Sequence, residues 1–157
     1  MAITTATLAG QPFLKGLATP HLQVLVDDAM PAEFKAGETV FQEGAPANRF
    51  YLILNGKVEL RSPTDSEDAA IPIDVIEAGG VLGWSWLFPP YSWHFDARAV
   101  TPVKAIFFYG TRLREQCEAD HELGYEMMKR VSAVVVERLQ TTRRRLAEQA
   151  KPLLLPI

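Results

Sequence analysis

The stretch that decides the fold runs from Phe34 to Leu60, FKAGETVFQEGAPANRFYLILNGKVEL. Its β-rich runs, Thr39-Val40-Phe41 and Phe50-Tyr51-Leu52-Ile53-Leu54, are parted by turn residues, the spacing of short antiparallel strands. Phe34–Glu38 reads as a strand running into a turn. Asn55-Gly56 is the strongest short-range hairpin signal in the chain. Lys57-Val58-Glu59-Leu60-Arg61 then alternates polar and apolar, as a half-buried return strand does. Outward from this core, an acidic loop at Ser62–Asp68 leads to a strand at Ile71–Ile76. Gly79-Gly80 precedes an aromatic segment, and Ala99–Tyr109 supplies the last strands. Strands spaced in this way predict a sandwich, barrel or jelly roll.

Helices flank this region. Thr19-Pro20 predicts an N-cap followed by Pro at the first helical position, with Leu22, Leu25, Val26 and Ala29 at helical spacing and Pro31 closing the element. After Gly110 the pattern is helical to about Ala150. Thr111 is placed to cap a short helix ending near Cys117–Ala119. Asp120 is placed to cap a longer one through Arg144, with Pro152 as its stop. Met128, Val131, Val135, Leu139, Thr142 and Leu146 form a narrow stripe of the two-helix type. The stripe predicts a parallel homodimer through this helix; packing back on the strands is the alternative. The organisation expected is one domain over 1–157, with a helical part at 12–32, a β jelly roll at 33–109 and helices at 110–150.

Composition narrows the class. A chain of 157 residues that is 48% apolar and 22% charged folds without staples. The single cysteine, Cys117, excludes an internal disulfide framework and a Cys-rich zinc site. Cys117 and His121 have helical metal spacing, but Asp120 starts a helix between them and two ligands define no zinc site. The longest apolar runs, Ala105–Tyr109 and Leu153–Ile157, are too short to span a bilayer. With no basic residue before Lys15 and no secretory apolar core, the expected location is the cytoplasm. Residues 1–110 hold seven Lys or Arg against twelve Asp or Glu, and residues 111–157 hold nine against seven. Neither part has the basic face that phosphate-backbone binding needs. Arg143-Arg144-Arg145 reads as a solvated helix face.

Candidate functional residues cluster in one place. Trp84, Trp86, Phe88, Tyr91, Trp93 and Phe95 hold six of the fifteen aromatics, including every Trp. Such rings either stack a planar ligand in a pocket or plug that pocket and complete the core. Ser85, His94 and Asp96 are the residue types of a hydrolase, but no Gly-x-Ser-x-Gly turn is present, so the reading is non-enzymatic.

The element order and the residues 34–60 resemble the cyclic-nucleotide-binding domain of catabolite-activator-like (Crp/Fnr) regulators, kinase regulatory subunits and gated channels. Gly37, Gly44 and Gly56 match its three turn glycines, and the resemblance covers about residues 17–148. It implies a mainly β fold with flanking helices, a jelly roll closed by a long C-terminal helix. It also implies a non-enzymatic, ligand-sensing function, with cyclic AMP or cyclic GMP as candidate ligands. Similarity further implies that Leu82–Ala99 is the phosphate-binding cassette, in which Gly83 aligns with the cassette glycine, Leu87 with its last leucine and Ala99 with the alanine that ends the next strand. The ribose-binding Glu position is then Trp84, and the phosphate-binding Arg position is Trp93. Neither signature charge is present.

The ligand-binding set expected on that alignment is Gly83, Trp84, Ser85, Trp86, Leu87, Trp93, His94 and Arg98. Protonated His94, or Arg98 if it turns inward, would substitute for the missing charge. On a continuous strand Arg98 shares the face of His94, and Trp93 points the opposite way. Only Lys151–Ile157 follows the long helix, so the expectation is a sensor without a DNA-reading helix pair, a homodimer with no direct DNA binding and no membrane contact.

Overall fold

The computed structural model describes residues 2–62 and 71–154, with side chains through Gln149. Beyond Ser62, the acidic loop lies outside the described residues. Helices α1 (Thr5–Ala9) and α2 (Thr19–Asp28) lead into eight strands: β1 (Met30–Phe34), β2 (Thr39–Phe41), β3 (Arg49–Asn55), β4 (Val58–Ser62), β5 (Ile71–Ile76), β6 (Val81–Leu82), β7 (Asp96–Ala99) and β8 (Val103–Tyr109). A 3-10 turn at Trp84–Leu87 sits between β6 and β7. Helices α3 (Gly110–Ala119) and α4 (His121–Leu154) end the chain's ordered elements. The strands form two four-stranded sheets, ordered β1-β8-β3-β6 and β2-β7-β4-β5, with antiparallel pairing throughout. This is the predicted jelly roll.

The apolar run in β3 is continuous because both faces of its sheet are covered. Phe50 and Leu52 join a core beneath the helices, together with Leu25, Trp86, Ile106, Leu113, Leu123 and Met127. Tyr51 and Ile53 join a second core between the sheets, with Val58, Leu60, Ala97, Val103 and Phe107. The second sheet buries only one face. In β7, buried Ala97 and Ala99 alternate with partly exposed Asp96 and Arg98, so the charged pair lies on its outer side.

Several local expectations need correction. Thr19 is not the N-cap of α2: Ala18 is, without a side-chain hydrogen bond, and Thr19 lies inside the first turn. Pro31 does not close that helix but sits in β1, opposite Ile106. Its missing N–H is tolerated because β1 is an edge strand. Thr111 is likewise inside α3, whose N-cap is Tyr109. Asp120 does cap α4, its Oδ1 accepting from the amides of Glu122 at 3.1 Å and Leu123 at 3.3 Å. That helix passes Arg144 and includes Pro152, reaching Leu154.

The stripe on α4 mixes two faces. Val131 is buried against the body with Leu123 and Met127, and Val135 is partly buried there. Met128, Leu139 and Leu146 are exposed, as are Tyr125 and Val136.

The hairpin glycine makes the sharpest stability test. Gly56 has φ +95°, and a Cβ there would lie 2.2 Å from the Pro102 carbonyl oxygen. Gly37 has φ +86° but open space around it. Gly56→Ala is expected to cost roughly 2–4 kcal/mol in urea unfolding, from the left-handed backbone plus overpacking. Gly37→Ala is expected to cost about 1–2 kcal/mol, from the backbone alone.

Candidate ligand-binding site

Gly83 opens the site. It adopts φ 92°, and a Cβ on it would meet the Arg49 carbonyl oxygen and two Trp93 ring carbons at 2.8 Å each. Only glycine lets the indole lie on the backbone at this point. Trp93 is buried and stacks on Phe41 with centroids 3.9 Å apart and planes at 11°. Its backbone is pinned on both sides, since Gly44 N–H donates to its carbonyl at 2.9 Å and its own N–H donates to Ala45 O at 3.0 Å. Trp93 therefore belongs to the core between the sheets, where it plugs part of the roll.

The next residues diverge in direction. Trp84 stacks on His94 at 5.4 Å and meets the edge of Phe88 at 6.1 Å. Ser85 is buried, and its Oγ lies 3.0 Å from His94 Nδ1. Trp86 turns into the other core against Phe50, and its carbonyl accepts from Arg114 Nη1 at 2.6 Å. Arg114 lies 3.9 Å from the Tyr91 ring centroid. Leu87 is half-buried at the end of the turn. Gly83, Trp84, Ser85, Trp93 and His94 are thus brought together, whereas Trp86 is directed into the helix-covered core.

Arg98 does not join them. The chain bends at His94-Phe95, and β7 begins only at Asp96. The alternation that would have put Arg98 on the face of His94 is broken there. The Arg98 Nε instead donates to Gly37 O at 3.1 Å. Asp96 is equally removed, its Oδ1 accepting from the Glu43 amide at 2.7 Å, so Ser85 and His94 form a pair without the third member of a triad.

Beside Trp84 lies a cavity of about 280 Å³. Leu60, Ile73 and Asp74 form its wall on the second sheet, Trp84 and Phe95 its cassette side, and Val135, Arg138, Leu139 and Thr142 of α4 its roof. Arg138 Nη2 donates to the Val81 carbonyl, which ties α4 to β6. Burial pushes the Arg138 pKa down, and Asp74 followed by Glu137 opposes that shift. A larger groove, about 860 Å³, runs between the Pro12–Gly16 turn, the β5–β6 connection and α4. Several charges on its walls are paired, Arg130 with Glu126 at 2.5 Å, and Arg130 also donates to Lys15 O at 2.8 Å.

The sequence places Val135, Leu139 and Thr142 in the two-helix stripe and not in a ligand site, and it does not single out Arg138. A signal for Arg138 was present: Leu123, Met127, Val131, Val134 and Arg138 follow one another at steps of three or four. A lone arginine thus continues the stripe that faces the body.

A jelly roll with this connection between β6 and β7 and a long helix over its mouth defines a class of ligand-responsive domain. The chain belongs to the cyclic nucleotide-binding domain family, which matches residues 31–120. The CRP-like cAMP-activated global transcriptional regulator of Mycobacterium tuberculosis is 27% identical over 143 residues, covering 90% of this chain and 61% of that protein. The chain therefore spans about three fifths of the length of that relative. A Geobacter metallireducens protein named for cyclic nucleotide binding is 30% identical, with a TM-score of 0.78 over 87% of this chain and 98% of that one. The c-di-GMP responsive global regulator CLP of Xanthomonas campestris shares the fold, with a TM-score of 0.72 at 16% identity over 85% of this chain and 65% of its own. Among the described residues no helix is long and apolar enough to cross a membrane.

Two expected outcomes follow from the site. Trp93→Ala should cost about 3–5 kcal/mol in chemical unfolding, because it empties a stacked position in the core. Cys117 should alkylate slowly with iodoacetamide at pH 8, since burial, then Glu118 and Asp120, push its thiol up to about 11. The folded state holds that proton longer than the unfolded chain does. The stability it contributes is complete below the unfolded thiol pKa and is lost as pH rises through about 11.

Proposed function

We propose that this chain is a non-enzymatic, ligand-sensing regulatory module whose ligand occupies the cavity under α4. The observation that carries the reading is the roof of that cavity. Val135, Arg138, Leu139 and Thr142 all come from one helix that continues past the roll. A ligand there contacts the body and the helix together, so its binding energy biases the seat of α4. The ligand is not an ordinary cyclic nucleotide held in the ordinary way. On the alignment with the family, Trp84 and Trp93 replace the ribose-binding acid and the phosphate-binding arginine, and Trp93 is packed into the core. Loss of one charge-assisted contact, about 1.5–3 kcal/mol, weakens anion binding by one to two orders of magnitude.

The relatives support sensing without fixing its chemistry. One is named cAMP-activated and a fold neighbour is named c-di-GMP responsive. The same architecture also occurs in the regulatory subunit of a cAMP-independent protein kinase A of Trypanosoma brucei, with a TM-score of 0.67 at 21% identity. A second reading, a ligand-free interaction module, is favoured by Trp93 plugging part of the roll and by the exposed side chains of α4. In both readings we place a parallel homodimer on Tyr125, Met128, Val136, Leu139 and Leu146 of that helix, and a cytoplasmic setting without direct DNA contact.

Intrinsic tryptophan fluorescence is the direct test, because all three Trp lie between residues 84 and 93. Titration with cyclic AMP, cyclic GMP and small organic anions is expected to give a saturable change with at least one, and no low-micromolar saturation by either cyclic nucleotide. A flat response to all, with an unmoved melting temperature, would leave the interaction module. For the dimer, sedimentation at micromolar concentration should give roughly twice the 17.5 kDa chain mass. The double variant Val136→Glu, Leu146→Glu should sediment as a monomer, since unpaired charges are costly in a helix seam.

A further inference from the structure

Two buried N–H donors without partners border the same cavity. Among the described residues, Arg138 Nη1 and Trp84 Nε1 are both inaccessible to solvent and make no hydrogen bond. Each belongs to a residue that lines the 280 Å³ space. Trp86 Nε1 is also unpartnered, but it lies in the helix-covered core away from this space. A buried donor left unsatisfied is costly, and a buried guanidinium more so. The other Arg138 amino group is already committed to the Val81 carbonyl. Among the residues that line the cavity the one carboxylate is Asp74, whose Oδ1 already accepts from the Val75 amide at 2.8 Å and meets Arg145 at 3.4 Å, so Arg138 Nη1 is left without an acceptor.

We infer that the cavity binds a small, flat, apolar monocarboxylate, whose carboxylate is held by Arg138 of α4 and Trp84 of the cassette and whose body rests on Leu60, Ile73, Phe95 and Leu139. This rests on the sensing reading above and assigns the ligand class to it. The space lies just under the roughly 300–1,000 Å³ of drug-sized ligand pockets, which selects a small molecule. Its walls are chiefly aliphatic and aromatic, so the body of the ligand is apolar. One guanidinium matches one negative charge, and Asp74 on the cavity wall disfavours a second, so a carboxylate fits better than a doubly charged phosphate monoester. The charge missing from the cassette positions is on this account supplied from the opposite wall, by the helix itself. Desolvation disfavours the Arg138 cation, Asp74 and Glu137 offset part of that, and a carboxylate in direct contact offsets more of it.

The experiment is calorimetric titration of the full chain with benzoate, phenylacetate, cinnamate and 1-naphthoate, each beside its neutral carboxamide, and with cyclic AMP as a separate arm. At least one carboxylate is expected to bind saturably, with its carboxamide at least about tenfold weaker. Arg138→Gln and Trp84→Phe should each weaken that carboxylate by about tenfold or more. Trp84→Phe keeps an aromatic ring but removes the N–H together with part of the indole; the carboxylate should therefore lose more affinity than its carboxamide, which tests the claim even if the Arg138 variant folds poorly. Binding of no carboxylate, equal binding of acid and amide, or affinity indifferent to both substitutions overturns the inference. Cyclic AMP binding that Arg138→Gln leaves unchanged would overturn it while preserving the sensing reading. Silence in every arm would remove both.

Discussion

The arrangement depends on one buried cation. Arg138 is brought to the mouth of the roll by the same helical face that buries Leu123, Met127 and Val131, and its guanidinium reaches the Val81 carbonyl of β6. A guanidinium cannot shed its charge as a lysine can, so once buried it must be given acceptors. The β6 carbonyl satisfies part of that need and fixes where α4 crosses the roll. Arg138 Nη1 has no hydrogen-bond partner and is packed into the wall of a small cavity. A helix held by a partly satisfied contact is a natural two-state element, because any acceptor that enters changes how strongly the helix is held.

The rest of the site follows from a glycine and an indole. Gly83 takes a left-handed backbone so that Trp93 can lie against it, and Trp93 in turn stacks on Phe41. That stack adds about 0.5–1.5 kcal/mol beyond the area it buries. It also holds residues 91–93 against 44–47 through backbone pairing. The same packing places Trp84 on the cavity side with His94 against its ring, oriented by the Ser85 hydroxyl. In this family the connection between these strands ordinarily carries the ligand's counter-charge. On the proposed reading its aromatic residues form one wall and the charge comes from the helix opposite.

Much of the fold could be read from residues 34–60, for a physical reason. Gly37, Gly44 and Gly56 all have φ between 86° and 95°, values that side-chain-bearing residues avoid, so their spacing marks turns directly. The half-buried β4 shows as alternation and the doubly buried β3 as a continuous run. Asp120 was legible because its side chain caps amides within three residues. Features set by distant contacts were not. Pro31 signals a stop locally, yet an edge strand accepts it. The bend at His94-Phe95 has no marker in the sequence, so the face assigned to Arg98 was wrong. The stripe on α4 merged two faces, because a helix of 3.6 residues per turn drifts against a repeat of 3.5. Arg138 is one charge among many on α4 in the sequence, and only the packing of α4 against β6 distinguishes it.

The central claim is that Arg138 sets the seat of α4 on the roll. Amide hydrogen exchange, followed residue by residue in the natural chain and in Arg138→Gln, tests it most directly. The account predicts faster exchange along residues 131–146 of the variant, with β3 and β8 unchanged, because α4 opens as a local unit while the roll stays closed. Protection of α4 equal in the two proteins would contradict it, and would mean that Leu123, Met127 and Val131 hold the helix without the guanidinium.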